Sequence, residues 1–411
     1  MAGQDSRRQA TGLVRGLASA VFGLLAALLP SACGSLSTTE LDSGQIAALG
    51  QAPAAPVQIE IDTLARPMVE SGYTPGLVVG VLLPDGTTRF AGYGVTDQDS
   101  GRRPDADTLF AIGSLSKGFL AALTAQLVEQ GVLSWDETLP ALLPPGTPLS
   151  EDARRITLRQ LATHTSGLPR QPITLRMLRY FVEYLFDGEN FYRHFNAATV
   201  FDYLAEVEID EPGQPQYSNI GYALLGHAVE RRTGRSLEDL LEDRLARPLG
   251  LACTGYLPEA LPCHAQRAFG HAGDQPKFIA RGKPAPDWRF TPLMRGSAAL
   301  SSTARDLLRF AAAHLNERDS ALAANLRVQV PRDKEAAATA WVVDRLDGHA
   351  ITYQIGIVAG YTSYMGLDLE RKTAVVVLQN AFNWDNSLGH KLLLRLAVRP
   401  DSQPINLSLS Q

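Results

Sequence analysis

The sequence predicts an α/β (α+β) fold in which an antiparallel sheet is flanked by helices and interrupted by an inserted, mostly helical domain. Asp85 and Gly86 form a hairpin turn signal between two β-rich segments. Residues 135–285 are mostly helical and rich in loops, and the chain then returns to strands. Hairpin connections indicate an antiparallel sheet, because parallel strands need long crossovers.

The individual elements follow from periodicity and turn residues. Helical spacing of apolar residues predicts a helix over 57–70, and the hairpin strands are predicted at 77–83 and 88–95. An apolar segment ending at Gly131 predicts a helix over 115–131. The later helices are predicted at 200–206, 220–233, 237–245, 304–314 and 387–398, and the later strands at 340–343, 350–353, 361–368 and 372–379.

The simplest domain arrangement closes the two ends of the chain into one sheet. A single domain over 57–400 would then have a sheet part, 57–130 and 290–400, and a helical part, 131–289. We expect a cleft at the junction, where ligand sites tend to lie.

Composition excludes several classes of function. The 411 residues carry a net charge of 38 − 43 = −5, so the chain has no global electrostatic attraction to nucleic acid. Three cysteines are too few for a disulfide scaffold or a cysteine-rich zinc module. Because His-Glu-x-x-His, phosphate-loop and dinucleotide motifs are absent from the sequence, we expect no metal, no organic cofactor and no nucleic-acid partner.

The N-terminus predicts export. Basic residues followed by a short apolar run ending at Pro30 indicate a signal peptide over 1–32. Cys33 lies in a context that resembles a lipoprotein processing site, so a lipid would anchor a periplasmic protein to the membrane; ordinary cleavage nearby and a retained anchor are the alternatives. Residues 33–56 are predicted to be a flexible tether. Export also favours a disulfide between Cys253 and Cys263, with two free thiols as the alternative.

Two short motifs carry the candidate chemistry. Ser114 and Lys117 share one face at the start of the predicted helix 115–131, and a desolvated lysine can activate a serine. Tyr217 and Asn219 form the only Tyr-x-Asn motif of the chain. A phenol beside an ammonium can have a lowered pKa and carry protons, and the amide can bind a substrate amide or orient the lysine. The alternatives are an ordinary helix start and a cap beside a buried aromatic residue.

These motifs and their surroundings resemble the serine β-lactamase and penicillin-binding protein superfamily, in particular class C β-lactamases and the related DD-peptidases. His164 lies in one of the matching segments and is predicted to be a structural histidine. The resemblance extends over roughly 57–400, in the segments 110–117, 161–169, 217–225, 247–251, 296–306 and 361–379.

The resemblance implies a β-lactamase-like fold and a role for each motif residue. Ser114 would be the nucleophile that forms an acyl-enzyme, and Lys117 and Tyr217 would share the general base and acid work. The oxyanion hole would consist of the backbone N–H groups of Ser114 and Ile357, each worth about 3 kcal/mol. The residues implied to contact the substrate are Asn219, Gln171 and, through its backbone N–H, Ile357.

The third motif departs from the family pattern. Where the family has Lys-Thr-Gly, or His in place of Lys, this chain has Gln354, Ile355 and Gly356. Gly356 is expected to leave room for the substrate backbone. The cation that attracts a substrate carboxylate is absent from the motif, and neutral hydrogen bonds are roughly half as strong as charge-assisted ones. Either an arginine reaches in from elsewhere, or the substrate lacks the carboxylate.

We therefore predict an exported serine hydrolase that acts through Ser114 on β-lactams or D-Ala-D-Ala peptides, which are small-molecule or peptidoglycan-derived substrates. The first alternative is a promiscuous carboxylesterase on the same scaffold. The second is a non-catalytic binding protein, against which the retained Ser114, Lys117 and Tyr217 argue.

Overall fold

The structure is a computed structural model that describes residues 36–37, 39, 41–172, 174–316 and 320–398. The predicted signal peptide 1–32 and Cys33 lie outside these residues. The described strands are β1 Gly76–Leu82, β2 Thr88–Gly94, β3 Phe110–Ala111, β4 Ser301–Ser302, β5 Ala336–Ala337, β6 Val342–Leu346, β7 His349–Val358, β8 Tyr361–Asp368 and β9 Thr373–Gln379.

Seven of these strands form one sheet in the order β2-β1-β9-β8-β7-β6-β5, and each neighbouring pair is antiparallel. The N-terminal and C-terminal strands meet where β1 pairs with β9, with Leu77 opposite Gln379 and Leu82 opposite Ala374. Strands β3 and β4 form a separate two-stranded ribbon. The predicted antiparallel sheet, closed by both ends of the chain, is confirmed.

The helices are α1 Ser43–Gln51, α2 Val57–Glu70, α3 Ser116–Glu129, α4 Leu139–Leu142, α5 Glu151–Arg155, α6 Leu158–Ala162, α7 Leu175–Asp187, α8 Ala197–Leu204, α9 Asn219–Thr233, α10 Leu237–Leu241, α11 Arg247–Leu249, α12 Arg295–Ala298, α13 Ala304–Leu315, α14 Ser320–Asn325 and α15 Leu388–Ala397. Among the described residues, no helix has the length and apolar character needed to cross a membrane.

Helices cover both faces of the sheet. Successive strand residues point to opposite faces, so each strand packs against helices on both sides. Val78 enters the core shared with α3 and α13, whereas Val79 enters the core shared with α2 and α15. Both valines are fully buried. Burial of each such side chain contributes roughly 1.5–3 kcal/mol relative to exposure. The near-continuous apolar sequence of β1 and β9 reflects this burial on both faces.

The helical part packs directly on α3, the helix that follows Ser114. Leu161 of α6 and Tyr222 of α9 belong to the same core cluster as Phe119 of α3. The Tyr222 hydroxyl donates a hydrogen bond to the carbonyl oxygen of Ala162, 2.6 Å away. This packing brings the Tyr-x-Asn motif, which opens α9, next to the Ser-x-x-Lys motif.

Cys253 and Cys263 form a disulfide, with their Cα atoms 6.0 Å apart. The predicted pairing is confirmed, and it closes a loop in the segment between α11 and α12. Closing a loop of this size restricts the unfolded chain, an effect worth about 2–4 kcal/mol.

The tether prediction is corrected for residues 41–56, because they contain α1. Helix α1 begins after Asp42, whose side chain accepts a hydrogen bond from the backbone of Gln45 in a reciprocal capping box. Arg395, from α15, donates hydrogen bonds to the carbonyl oxygens of Leu49 and Ala52. A composition rich in small and polar residues suggested flexibility and carried no signal of these long-range bonds.

Two strand boundaries also differ from the prediction. The strand predicted at 350–353 extends over His349–Val358, and the one predicted at 340–343 is shifted to Val342–Leu346. Strand β7 is longer because it pairs with β8 along its whole second half, from Gln354 opposite Met365 to Val358 opposite Tyr361. The third motif therefore lies within a regular strand.

Candidate active site

Ser114 lies in the tight turn Gly113–Leu115 that leads into α3. Gly113 has a φ of +51°, and a Cβ atom there would lie 3.0 Å from the backbone N, C and O atoms of Ile357. Only glycine allows this approach, so the backbone of β7 lies directly against the turn that carries the serine. The turn is fixed further by Ser116, whose hydroxyl donates to the Gly113 carbonyl oxygen at 2.6 Å.

The ammonium group of Lys117 is buried at the centre of the site. Its Nζ atom lies 3.0 Å from Ser114 Oγ, 2.8 Å from Asn219 Oδ1 and 2.6 Å from the carbonyl oxygen of Ser297. All three partners are neutral oxygens, and the lysine is 2% exposed. Burial, and secondly the positive charge of Arg170, lower the pKa of Lys117 well below its usual range. The free amine is thereby favoured beside the serine hydroxyl.

Tyr217 completes the immediate surroundings of the serine. Its phenol lies beside the Ser114 side chain, and Lys117 Nζ lies 4.8 Å from the centroid of its ring. Burial raises the pKa of Tyr217, and the charge of Arg170 and the neighbouring Ser114 side chain oppose this shift. The lowered phenol pKa that we predicted is therefore corrected: burial outweighs the neighbouring charge, and the phenol keeps its proton.

His164 packs against the ring of Tyr217. The two rings are stacked with centroids 4.4 Å apart, and His164 Nδ1 accepts a hydrogen bond from the backbone N–H of Ser218 at 3.0 Å. Burial, with the charges of Lys117 and Arg170, lowers the pKa of His164 well below its usual range. A neutral imidazole that accepts a backbone hydrogen bond is a structural histidine, as predicted.

Asn219 links Lys117 to a second tyrosine. Its Oδ1 accepts from Lys117, and its Nδ2 donates to the hydroxyl of Tyr192 at 2.6 Å. Tyr192 in turn donates to Gln171 Oε1 at 3.3 Å. Of the two roles considered for Asn219, the structure supports orientation of the lysine. Gln171 joins the site through Tyr192.

The third motif adopts a different arrangement from the one predicted. Gln354 is 4% exposed and packs against Gly118, and neither of its amide atoms has a hydrogen-bond partner in the part of the chain described. A Cβ atom on Gly356 would lie 2.0 Å from the carbonyl oxygen of Ile112 and 2.3 Å from Ser363 Oγ. The expectation that Gly356 leaves room for substrate is therefore corrected: this space holds the chain that leads to the turn carrying Ser114.

A cavity of about 360 Å³ adjoins the site. Ala298 and Ala299, which follow Ser297, form part of its wall, and Val358, which follows Ile357, forms another part. Trp288 and Phe290 add aromatic surface. A cavity of this size and mixed lining can hold a substrate side chain.

Three contributors to the site were missed in the sequence. The carbonyl oxygen of Ser297 has no signature, because any residue supplies one. Tyr192 belongs to an aromatic-rich stretch that usually indicates core packing, and it is indeed buried. Arg170 adjoins Gln171, and its position next to a predicted site residue was the available signal.

Two bacterial proteins of known activity class are similar in sequence to this chain. The chain is 34% identical over 251 residues to penicillin-binding protein 4 of Amycolatopsis lactamdurans, and the match covers 60% of each protein. It is 28% identical over 243 residues to the D-alanyl-D-alanine-carboxypeptidase/endopeptidase AmpH of Escherichia coli K12, 58% of this chain and 57% of that protein. The matches therefore span less than two thirds of the length of these relatives.

A solved structure of a β-lactamase/D-alanine carboxypeptidase from Pseudomonas syringae shares the fold. The TM-score is 0.68 at 21% identity, with 83% of this chain and 98% of that chain covered. The predicted β-lactamase-like fold is thereby confirmed. The family model described as Beta-lactamase matches residues 61–399. The chain therefore belongs to the β-lactamase family, and the prediction of a β-lactamase-related serine hydrolase is confirmed at the level of the family.

Proposed function

We propose that this protein hydrolyses acyl compounds through a covalent acyl-enzyme on Ser114, with β-lactams or D-Ala-D-Ala peptides as substrates. The observation that carries the proposal is the contact of 3.0 Å between Ser114 Oγ and the buried Nζ of Lys117. A lysine whose pKa is lowered by burial can act as a base near neutral pH.

The first step forms a bond between Ser114 Oγ and the substrate carbonyl carbon while the hydroxyl proton passes to Lys117 Nζ. The backbone N–H groups of Ser114 and Ile357 are proposed to bind the oxyanion, in keeping with the close approach of β7 to the catalytic turn. The C–N or C–O bond then breaks, and the leaving group takes up the proton. Attack by water on the ester carbon then breaks the bond from this carbon to Ser114 Oγ, releases the carboxylic acid and returns a proton to the serine oxygen.

Tyr217 is proposed to relay this proton to the leaving group. Its phenol lies beside Ser114, and its raised pKa keeps it protonated in the resting site. A protonated phenol suits a relay that gives one proton and receives another from Lys117. The arrangement also argues against a non-catalytic binding protein, since a buried lysine without a carboxylate partner is costly to retain for structure alone.

Two observations bear on the substrate. The 354–358 segment of β7 extends beyond β6, which pairs only with 349–353, and within the described chain no other strand pairs with that edge. An extended peptide could align there, which supports the peptide substrates. Gln354, in contrast, is neutral and buried. This favours the second candidate, a carboxylesterase that needs no substrate carboxylate.

Export to the periplasm, with lipidation at Cys33, is proposed on the N-terminal sequence. The disulfide between Cys253 and Cys263 supports this location, because disulfides persist in oxidising compartments.

Labelling with a fluorescent penicillin tests the function. Wild-type protein should gain one covalent adduct, located on Ser114 by peptide mass spectrometry, and the Ser114→Ala variant should gain none. A persistent adduct indicates a penicillin-binding protein, and a transient adduct with hydrolysed product indicates a β-lactamase. Ester cleavage that needs Ser114, without a penicillin adduct, indicates the carboxylesterase. Unchanged cleavage of every substrate by Ser114→Ala would refute the acyl-enzyme proposal.

Replacing Tyr192 with phenylalanine should lower kcat about tenfold and change KM less. The hydroxyl holds Asn219 Nδ2, and its loss frees the amide that positions Lys117, a loss comparable to one hydrogen bond. Steady-state kinetics measure the effect. Tyr203→Phe is the matched control, because this half-buried tyrosine lies in α8 and outside the hydrogen-bond network of Lys117. Equal losses in both variants would count against a positioning role for Tyr192.

A further inference from the structure

Arg170 is held at the entrance to the candidate site by its neighbours in the chain. The carbonyl oxygen of Pro169 accepts from the Ser218 hydroxyl at 2.9 Å, and the carbonyl oxygen of Arg170 accepts from the Asn219 backbone N–H at 3.2 Å. Both donors belong to the Tyr-x-Asn motif. The base of the Arg170 side chain is thus fixed relative to Tyr217.

The guanidinium of Arg170 lies over the ring of Tyr217, with Cζ 4.5 Å from the centroid. The side chain is exposed, and no carboxylate of the described residues pairs with it. Arg267, beside the adjoining cavity, shows the contrast, since Asp287 neutralises it. The positive charge of Arg170 acts on groups inside the site: it contributes to the lowered pKa of Lys117 and of His164.

Neither Lys117 nor Gln354 offers an exposed charge to an anion that approaches from solvent. Lys117 is held by Ser114, Asn219 and Ser297 and is shielded from solvent. Gln354 supplies no charge, and its amide faces Gly118. An anion that approaches Tyr217 from solvent would therefore meet the guanidinium of Arg170, with its forked donors free to bind a carboxylate.

We propose that Arg170 binds a carboxylate of the acyl donor and so takes over the task of the cation that the third motif lacks. The proposal rests on the acyl-enzyme function proposed above and refines its substrate class to acyl donors that carry a carboxylate near the scissile bond. The carboxylate has two possible sources, the acyl part and the leaving group.

Two pairs of esters distinguish these sources. In the first pair, the 4-nitrophenyl monoester of adipic acid is compared with the ester of its monoamide. In the second, 3-carboxyphenyl hexanoate is compared with 3-carbamoylphenyl hexanoate. The ratio of kcat/KM for the carboxylate to that for the carboxamide measures charge selectivity. A change in the pKa of Lys117 cancels in this ratio, because both esters use the same lysine.

Arg170→Gln should lower the ratio by roughly tenfold or more in one of the two pairs, and Arg170→Glu should lower it further. Arg154→Gln, at an exposed arginine of α5 outside the site, should leave both ratios unchanged. In wild-type protein, 0.5 M NaCl should also reduce the ratio, since exposed charges are screened. Ratios that stay the same in both Arg170 variants overturn the proposal. Failure of the acyl-enzyme function shows separately, as carboxamide ester cleavage that survives Ser114→Ala.

Discussion

Replacing Lys117 with methionine should lower kcat/KM for acylation by about 10³- to 10⁴-fold, and arginine should restore little of it. The side chain of methionine is similar in length to that of lysine but carries no basic group. Arginine keeps the charge but cannot lose its proton in the accessible pH range. If Lys117 acted only through its charge, arginine would recover activity. The pair of variants therefore separates a base from an electrostatic role.

The pH dependence gives an independent readout of the same role. Burial lowers the pKa of Lys117 well below 10.5, so the free amine is populated above this lowered value. Activity should fall as the pH drops through it, and this acidic limb should be absent from the residual activity of Lys117→Met. The limb is measured from kcat/KM, which reports on the free enzyme.

Lys277 supplies the matched control, because it is an exposed lysine outside the site. Lys277→Met should acylate at the wild-type rate, and thermal unfolding followed by circular dichroism verifies that each variant is folded. A Lys117→Met variant that retains its acylation rate to within about tenfold would contradict the assignment, since general bases contribute about 10² or more.

The contact between Ser114 and Lys117 was predictable because it is local. Residues three apart at the start of a helix lie on one face whatever the rest of the fold does. Tyr217 and Asn219 come from another part of the chain, and only the order of motifs placed them near Ser114. The sheet was predictable for a similar reason, since a hairpin turn and apolar strands are signals within single segments.

The third motif shows where this reasoning ends. The resemblance identified Gln354 and Gly356 as the third motif, but the predicted strand ended at residue 353, whereas β7 continues through both residues to Val358. The direction of the Gln354 amide and the atoms facing Gly356 depend on how β7 packs on α3 and on Ile112, which no local pattern encodes. The bonds of Arg395 to residues near α1, more than 300 positions away, were hidden in the same way.

Replacing Arg395 with methionine should destabilise the protein by about 3–5 kcal/mol, the usual cost of removing one member of a buried ion pair. Arg395 Nε lies 3.0 Å from Glu60 Oε2, and Nη2 lies 2.7 Å from Glu60 Oε1. Both residues are 4% exposed. The variant leaves the Glu60 carboxylate buried without its countercharge and leaves carbonyl oxygens at Leu49 and Ala52 without this donor. Urea unfolding measures the loss.

A double variant separates the ion pair from the helix anchor. Glu60→Gln with Arg395→Met removes both charges, so it should recover part of the stability lost in Arg395→Met alone. The recovery should be incomplete, because the bonds from Arg395 to Leu49 and Ala52 are still missing. Amide exchange should accordingly quicken in α1 in both variants. Full recovery with unchanged exchange in α1 would mean that Arg395 serves only to neutralise Glu60.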